Sequence, residues 1–215
     1  MIPAGTRDLP LTNAQRRQVF VDTAREAFFA DGYAGTTMSS IAARVGGSKT
    51  TLWAYFPSKE ALFAAVVDNI AEQYGVALLV EFGEDEPFPA ALRRLGAAVM
   101  KTIFSEPIIE LHRLVTGEAG RFPELARMMY ESGPKRGKAK LAALIEREMA
   151  RGVLRKADPL VAARQFAGLL QSGCFQFALL GMEEHPAPED IERDLENAVE
   201  TFLRGWMIEG VDNVG

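Results

Sequence analysis

Apolar residues recur along this chain at intervals of three and four, with no sustained alternation, which is the period of a helix face and not of a strand. The pattern predicts an all-α protein of about nine helices. Val19, Phe20, Thr23, Ala24, Ala27 and Phe28 form one stripe from about Asn13 to Ala30, with Arg16, Arg17, Asp22 and Glu26 mostly elsewhere, giving a first helix closed by Gly32. Thr37 is placed to cap a second helix running to about Val45, its hydroxyl accepting an orphan backbone N–H, and Gly46 suits the exit. Ser48 can cap a third. Pro57 disfavours helical geometry at Phe56, so the third helix stops there, and Ser58 with Glu60 begins a fourth. Leu62, Ala65, Val66, Ile70, Gln73, Ala77 and Val80 keep the fourth stripe, which predicts about 22 residues and a rod of roughly 33 Å.

After the turn-rich stretch GEDEPFP come helices at about Pro89 to Phe104, Glu106 to Ala119, Pro123 to Gly152, Pro159 to Leu180 and Pro188 to Ile208. Prolines near their starts match the first-turn preference, and Gly133-Pro134 is a candidate break in the third of these.

The third predicted helix is too short to stand alone, because an isolated helix under roughly 12 residues is marginal in water. Leu52 and Phe56 share one of its faces and can pack on Phe28, Ile41 and Val45, which supplies the missing anchor. The opposite face carries Thr50 and Ala54, flanked by Thr51, Trp53 and Tyr55, with Lys49 in the first turn. Two short helices joined by a glycine-containing turn, the second presenting a small, hydroxylated and basic face, form a helix-turn-helix able to enter a DNA major groove. Hydroxyls of Thr37, Thr51 and Tyr55 and the ammoniums of Lys49 and Lys59 suit phosphates, while Thr50, Lys49 and Trp53 are the candidates for reading bases.

Charge supports that reading weakly. Residues 1–60 hold seven Lys/Arg and five Asp/Glu (net +2), against seventeen and twenty-four (net −7) in the remainder, so the overall −5 conceals a basic front end. The 48% hydrophobic content across 215 residues suffices for a large buried core. Cys174 is the single cysteine, so no internal disulfide can form, and its apolar setting favours inert packing. The opening MIPAGTRDLPLTNAQ lacks the apolar core of a secretory leader and reads as a short arm, and Arg164, Gln165, Gln171 and Gln176 interrupt the most membrane-like segment. A cytoplasmic protein without a membrane span is expected. Histidines are limited to His112 and His185, with no Glu-x-x-His motif, phosphate-cradling loop or nucleophile elbow, so neither metal, cofactor nor enzyme chemistry is expected. A helical adaptor protein is the other non-enzymatic class the pattern allows.

GYAGTTMSSIAARVGGSKTTLWAYFPSKEALF, Gly32 to Phe63, closely resembles the DNA-binding segment of the TetR family of bacterial transcriptional regulators. Thr36-Thr37, Ile41-Ala42, Ser48-Lys49, Thr51-Leu52, Tyr55-Phe56 and Ser58-Lys59-Glu60 stand where that pattern puts them. Gly47, Thr50 and Trp53 depart from the commoner valine, glycine and tyrosine; an indole can donate to a phosphate or stack on a sugar but cannot repeat a tyrosine hydroxyl contact. The resemblance implies a three-helix DNA-binding domain over 1–60, with Thr37, Ser48, Lys49, Thr50, Thr51, Trp53, Tyr55 and Lys59 at double-stranded DNA. It also implies a helical regulatory domain over 61–215, a homodimer and a small-molecule effector cavity. Repression is the family's usual outcome, with activation the alternative.

Leu160 to Met182 is apolar nearly all round and therefore needs cover on more than one side. Gly168, Gly173 and Ala178 permit close approach, and Phe177, Leu180, Phe202 and Trp206 supply large surfaces, so Gly173, Phe177, Leu180, Phe202 and Trp206 are the expected dimer contacts, with the central helix of a monomeric bundle as the alternative. EPIIELHRLVTGEAGRFPELARMMYESGP, Glu106 to Pro134, more faintly resembles the AefR-like subgroup, which implies an apolar or aromatic effector. Candidate walls are Ile103, Phe104, Leu111, Met128, Phe166, Leu170 and Phe175, with His112 as a polar group that could orient the ligand.

Overall fold

The helical period is obeyed almost throughout. The computed structural model describes residues 12–46, 49–83, 85–183 and 185–208; among them are eleven α-helices, one 3₁₀ turn and no sheet beyond a single isolated bridge. Contacts divide the chain into two compact units, one ending at Asn69 and the other beginning at Ile70.

In the first unit, α1 (Asn13–Gly35) opens with a reciprocal cap in which the Gln15 N–H donates to the Thr12 hydroxyl at 3.2 Å and the Thr12 N–H to the Gln15 side chain at 2.9 Å. Gly32 takes φ 73°, a left-handed turn that interrupts α1 where the sequence predicts its end, and one further turn follows to Gly35. α2 (Met38–Val45) is capped by Thr37 and leaves through Gly46 at φ 70°. α3 (Lys49–Tyr55) follows, and α4 (Lys59–Tyr74), whose last residues from Ile70 on belong to the second unit, is started by Ser58, whose hydroxyl accepts the Ala61 N–H at 3.1 Å. Phe28, Tyr33 and Phe63 meet ring to ring at 5.3 to 5.5 Å in the core.

The second unit holds a 3₁₀ turn (Val76–Leu79), α5 (Phe88–Ile103), α6 (Glu106–Glu118), α7 (Pro123–Ser132), α8 (Pro134–Ala150), α9 (Pro159–Leu170), α10 (Cys174–Leu179) and α11 (Pro188–Trp206). Proline occupies the first turn of α5, α6, α7, α8, α9 and α11. The core joins Phe88, Leu92, Phe166, Leu195, Phe202 and Trp206. At Gly96 a methyl group would stand 2.6 Å from Leu195 Cδ1 and 3.3 Å from Phe166 Cζ, so α5 packs here closely enough on α9 and α11 that any side chain would have to push the Leu195 tip aside.

Three helices are shorter than the pattern predicts. α4 stops at Tyr74, 16 residues long and so about 24 Å instead of 33 Å, because Gly75 starts the 3₁₀ turn and the Ala77 N–H bonds the Thr102 hydroxyl of α5 at 3.3 Å. Gly133, at the non-helical φ −131° and ψ −71°, separates α7 from α8 immediately before Pro134. The Pro159–Leu180 helix is also two: Gly173 breaks it, and the Asp194 carboxylate accepts the Cys174 N–H at 2.7 Å to start α10 anew.

At the far end Leu154 and Met207 form the isolated bridge, with the Arg155 N–H donating to Trp206 at 2.9 Å and the Ile208 N–H to Val153 at 3.2 Å. The Arg155 guanidinium lies 3.8 Å from the centre of the Trp206 ring and donates to Gly205. No helix among the described residues is long and apolar enough to cross a membrane.

Candidate DNA-binding surface

α3 is held from behind. Leu52 is 0% exposed and Phe56, just past the helix, 2%; burying such a side chain contributes about 1.5–3 kcal/mol, which stabilises a seven-residue helix. The Arg17 guanidinium lies 5.0 Å from the centre of the Phe56 ring, and Tyr55 rests against Phe20 at 5.9 Å. With that face committed inward, Lys49, Thr50, Trp53 and Ala54 are exposed together and Thr51 is half-buried. The surface offers an ammonium, a hydroxyl, an indole N–H and a methyl-sized gap, which is the chemistry of phosphate contact and close groove approach.

Around it the two threonines of the Thr36-Thr37 pair diverge. Thr36 is fully buried, its hydroxyl 2.8 Å from the Gly32 carbonyl and 3.1 Å from that of Ala27. Thr37 is exposed, its hydroxyl accepting the Ser40 N–H at 3.0 Å while the Ser40 hydroxyl accepts the Thr37 N–H at 3.1 Å. The Tyr55 hydroxyl donates to the Asn13 side chain at 3.3 Å, a contact the sequence does not signal because it joins positions 42 apart. Ser48 lies outside the described residues.

Lys59 is engaged within its own unit. Its ammonium donates to the carbonyls of Tyr33 at 2.8 Å and Thr36 at 3.0 Å and faces the Tyr33 ring at 4.2 Å. Those inward bonds hold it at the end of α1. Arg44, in the last turn of α2, is paired with Asp31. The backbone N–H of Glu60 and the Ser58 hydroxyl hold the Glu60 carboxyl below its ordinary value.

In the second unit the predicted effector residues separate. Phe104, His112 and Phe175 form a chain of edge-on rings, at 6.0 Å for Phe104–Phe175 and 5.6 Å for His112–Phe175. The His112 Nδ1–H donates to the Ile108 carbonyl at 2.8 Å, and burial pushes the imidazole below its ordinary pKa, against that bond. In this tautomer Nε2 of the neutral ring is an acceptor. Ile103, Phe166 and Leu170 lie in the main core, which also takes in Phe175 and has Phe104 packed against it; Phe166 is edge-on to Phe202 at 5.3 Å. Leu111 is buried on α6 and Met128 half-buried on α7.

The predicted dimer contacts separate too. Phe177 and Leu180 are 48% and 72% exposed, and Met182 beside them 71%. Phe202 and Trp206 are 1% and 4% exposed; packed into their own chain's core, they have almost no surface left for a partner, which corrects their assignment. Gly173 also serves its own chain, since a methyl group there would sit 2.1 Å from the Asp194 carboxylate. Asp194 was not foreseen, and neither was Arg113, whose guanidinium donates to the Ala178 and Leu179 carbonyls at the other end of α10. Burial and the Asp194 carboxylate push the Cys174 thiol up to about 11, which leaves it unreactive.

Residues 20–66 match the family described as bacterial regulatory proteins of the tetR family, and residues 90–206 match the AefR-like transcriptional repressor C-terminal domain. The HTH-type transcriptional regulator RutR of Escherichia coli strain K12 is 38% identical over 78 residues, covering 36% of either chain. The match therefore spans about a third of the length of that curated relative. Two solved structures match nearly end to end. The flavonoid-responsive regulator FrrA is 32% identical with a TM-score of 0.76, covering 92% of this chain and all of that one. A TetR family transcriptional regulator from Pseudomonas syringae pv. tomato is 27% identical with a TM-score of 0.77 over the same shares.

Proposed function

The chain belongs to the TetR family of bacterial transcriptional regulators, and from that premise we propose that it is a repressor, bound as a homodimer to a near-palindromic operator and released by a small aromatic effector. DNA-binding regulation is the family's activity; the repression, the dimer and the effector are this proposal.

The observation that carries it is the burial of Leu52 and Phe56, which turns Lys49, Thr50, Trp53 and Ala54 outward on one short helix. Lys49 and Trp53 contact backbone phosphate and sugar, Thr50 and Ala54 approach base edges, and Thr37, Thr51 and Tyr55 flank them; Ser48 is proposed as a phosphate contact on its sequence position alone. One such helix makes few contacts, whereas two set about 34 Å apart read successive major grooves. The exposed apolar group Phe177, Leu180 and Met182 supports self-association of the second unit.

The effector meets Phe104, His112 and Phe175. Three edge-on rings with one acceptor nitrogen suit a planar aromatic that carries a hydroxyl. FrrA responds, by its name, to flavonoids, compounds of that chemistry.

Selection of bound fragments from random duplex DNA tests the reading. An inverted repeat should emerge, its binding should weaken steeply with salt, and hydroxylated aromatics should release the protein. Recovery of no sequence, or affinity indifferent to salt, overturns the reading and favours a helical adaptor.

A further inference from the structure

Lys59 is the first residue of α4, in the Ser58-Lys59-Glu60 stretch where the sequence pattern directs a cation at phosphate. The structure gives that cation another task. Its two carbonyl partners, Tyr33 and Thr36, lie at the C-terminal end of α1, where carbonyls lack intrahelical partners and the helix carries partial negative charge. A lysine ammonium has three protons. Two are on carbonyls, and the Tyr33 ring takes up one side of the charge, so most of the ammonium's bonding is committed within its own unit.

The pinned segment leads directly to the DNA-facing surface. Thr36 is bonded on one side by its own hydroxyl to Gly32 and Ala27 and on the other by the Lys59 ammonium to its carbonyl. The next residue is Thr37, exposed, which caps α2. All of these groups lie in the first unit.

We propose, on the basis of the DNA-binding reading above, that Lys59 is a positioning residue: it clamps the Tyr33–Thr36 carbonyls so that Thr37 and the start of α2 are presented to the DNA backbone, without itself touching phosphate. Its contribution to affinity is then geometric, whereas that of Lys49 is ionic.

The test uses the full chain and the duplex recovered by selection, at a temperature where circular dichroism shows every variant folded. Lys49→Met should lower the slope of log affinity against log salt by about 0.9, the release expected for one phosphate contact. Lys59→Met should weaken binding about five- to tenfold, the size of one or two lost hydrogen bonds, at an unchanged slope. Combined with Thr37→Ala, it should weaken binding no further than the worse single variant. Thr36→Val removes the pin from the opposite side at a residue that cannot reach DNA, so it should reproduce the Lys59→Met behaviour and serves if that variant does not fold.

A slope reduced by about one in Lys59→Met overturns the inference, because the ammonium then meets phosphate. Penalties that multiply in the double variant overturn it as well, and so does unaltered affinity in folded Lys59→Met or Thr36→Val. If the wild type binds no duplex, or Lys49→Met leaves the slope unchanged, the α3 surface is misread and both readings fall. A normal Lys49→Met result with any of the preceding failures overturns this inference alone.

Discussion

α3 and α10 are the two shortest α-helices among the described residues, seven and six residues long, and neither could persist as an isolated peptide. They are secured in different ways. α3 relies on apolar residues behind it, Leu52 and Phe56, while α10 adds to its buried Phe175 and Ala178 a charged group at each end, Asp194 at the N-terminus and Arg113 at the C-terminus. Each charge opposes the partial charge of the helix end it meets. The contrast follows from what each helix presents. A carboxylate beside the outer face of α3 would repel a polyanion, so its anchor has to be apolar and hidden. α10 displays Phe177 and Leu180, and charges at its ends leave that apolar face unobstructed.

The contrast breaks most decisively at Leu52. Leu52→Ala should destabilise the first unit by about 2–5 kcal/mol and abolish DNA binding; a thermal unfolding midpoint within a degree or two of wild type would disprove the anchor. Next comes Gly173→Ala, which forces the Asp194 carboxylate off the Cys174 N–H and should cost about 1–2 kcal/mol, the worth of a helix cap. In an Asp194→Ala background the same change should cost measurably less in chemical denaturation, and equal costs would deny Asp194 its role at α10.

Leu180→Ser sharpens the contrast from the exposed side. The stability of the isolated chain should move by less than about 0.5 kcal/mol, while the proposed dimer should dissociate about tenfold more readily in sedimentation, a loss of about 1.4 kcal/mol. Unchanged dissociation would move the interface elsewhere. The smallest effect concerns His112, which packs on Phe175 of α10. Its folded pKa lies below the ordinary 6.5 because of burial. The neutral ring therefore contributes stability that is present above about 6.5 and lost as pH falls through the lower folded value. His112→Gln should flatten this part of the acid unfolding curve, and an unaltered curve would place the acid response in other groups.

The first unit was the more legible half. Its Thr37 cap, its exit at Gly46 and the inward pair Leu52 and Phe56 all follow from local periodicity and capping chemistry. The inward bonds of Lys59 were not legible because its partners are backbone carbonyls 23 and 26 residues earlier, and no side-chain pattern encodes a carbonyl's direction. The break at Gly173 was missed for a related reason: the carboxylate that starts α10 comes from Asp194, in a different helix. Phe202 and Trp206 were assigned to a partner because a wide apolar helix face shows that cover is needed without showing which chain supplies it.

The lash at the end of α11 has a practical consequence. Arg155 grips the Gly205 carbonyl and the Trp206 indole while Met207 pairs with Leu154, so the polypeptide leaves its last helix along a fixed bearing. A fluorescent protein grafted directly after Ile208 would inherit that bearing, giving an energy-transfer reporter a rigid mount. Trimming the graft point back to Gly205 would remove both the lash and the buried Trp206 ring, costing the fold part of its core.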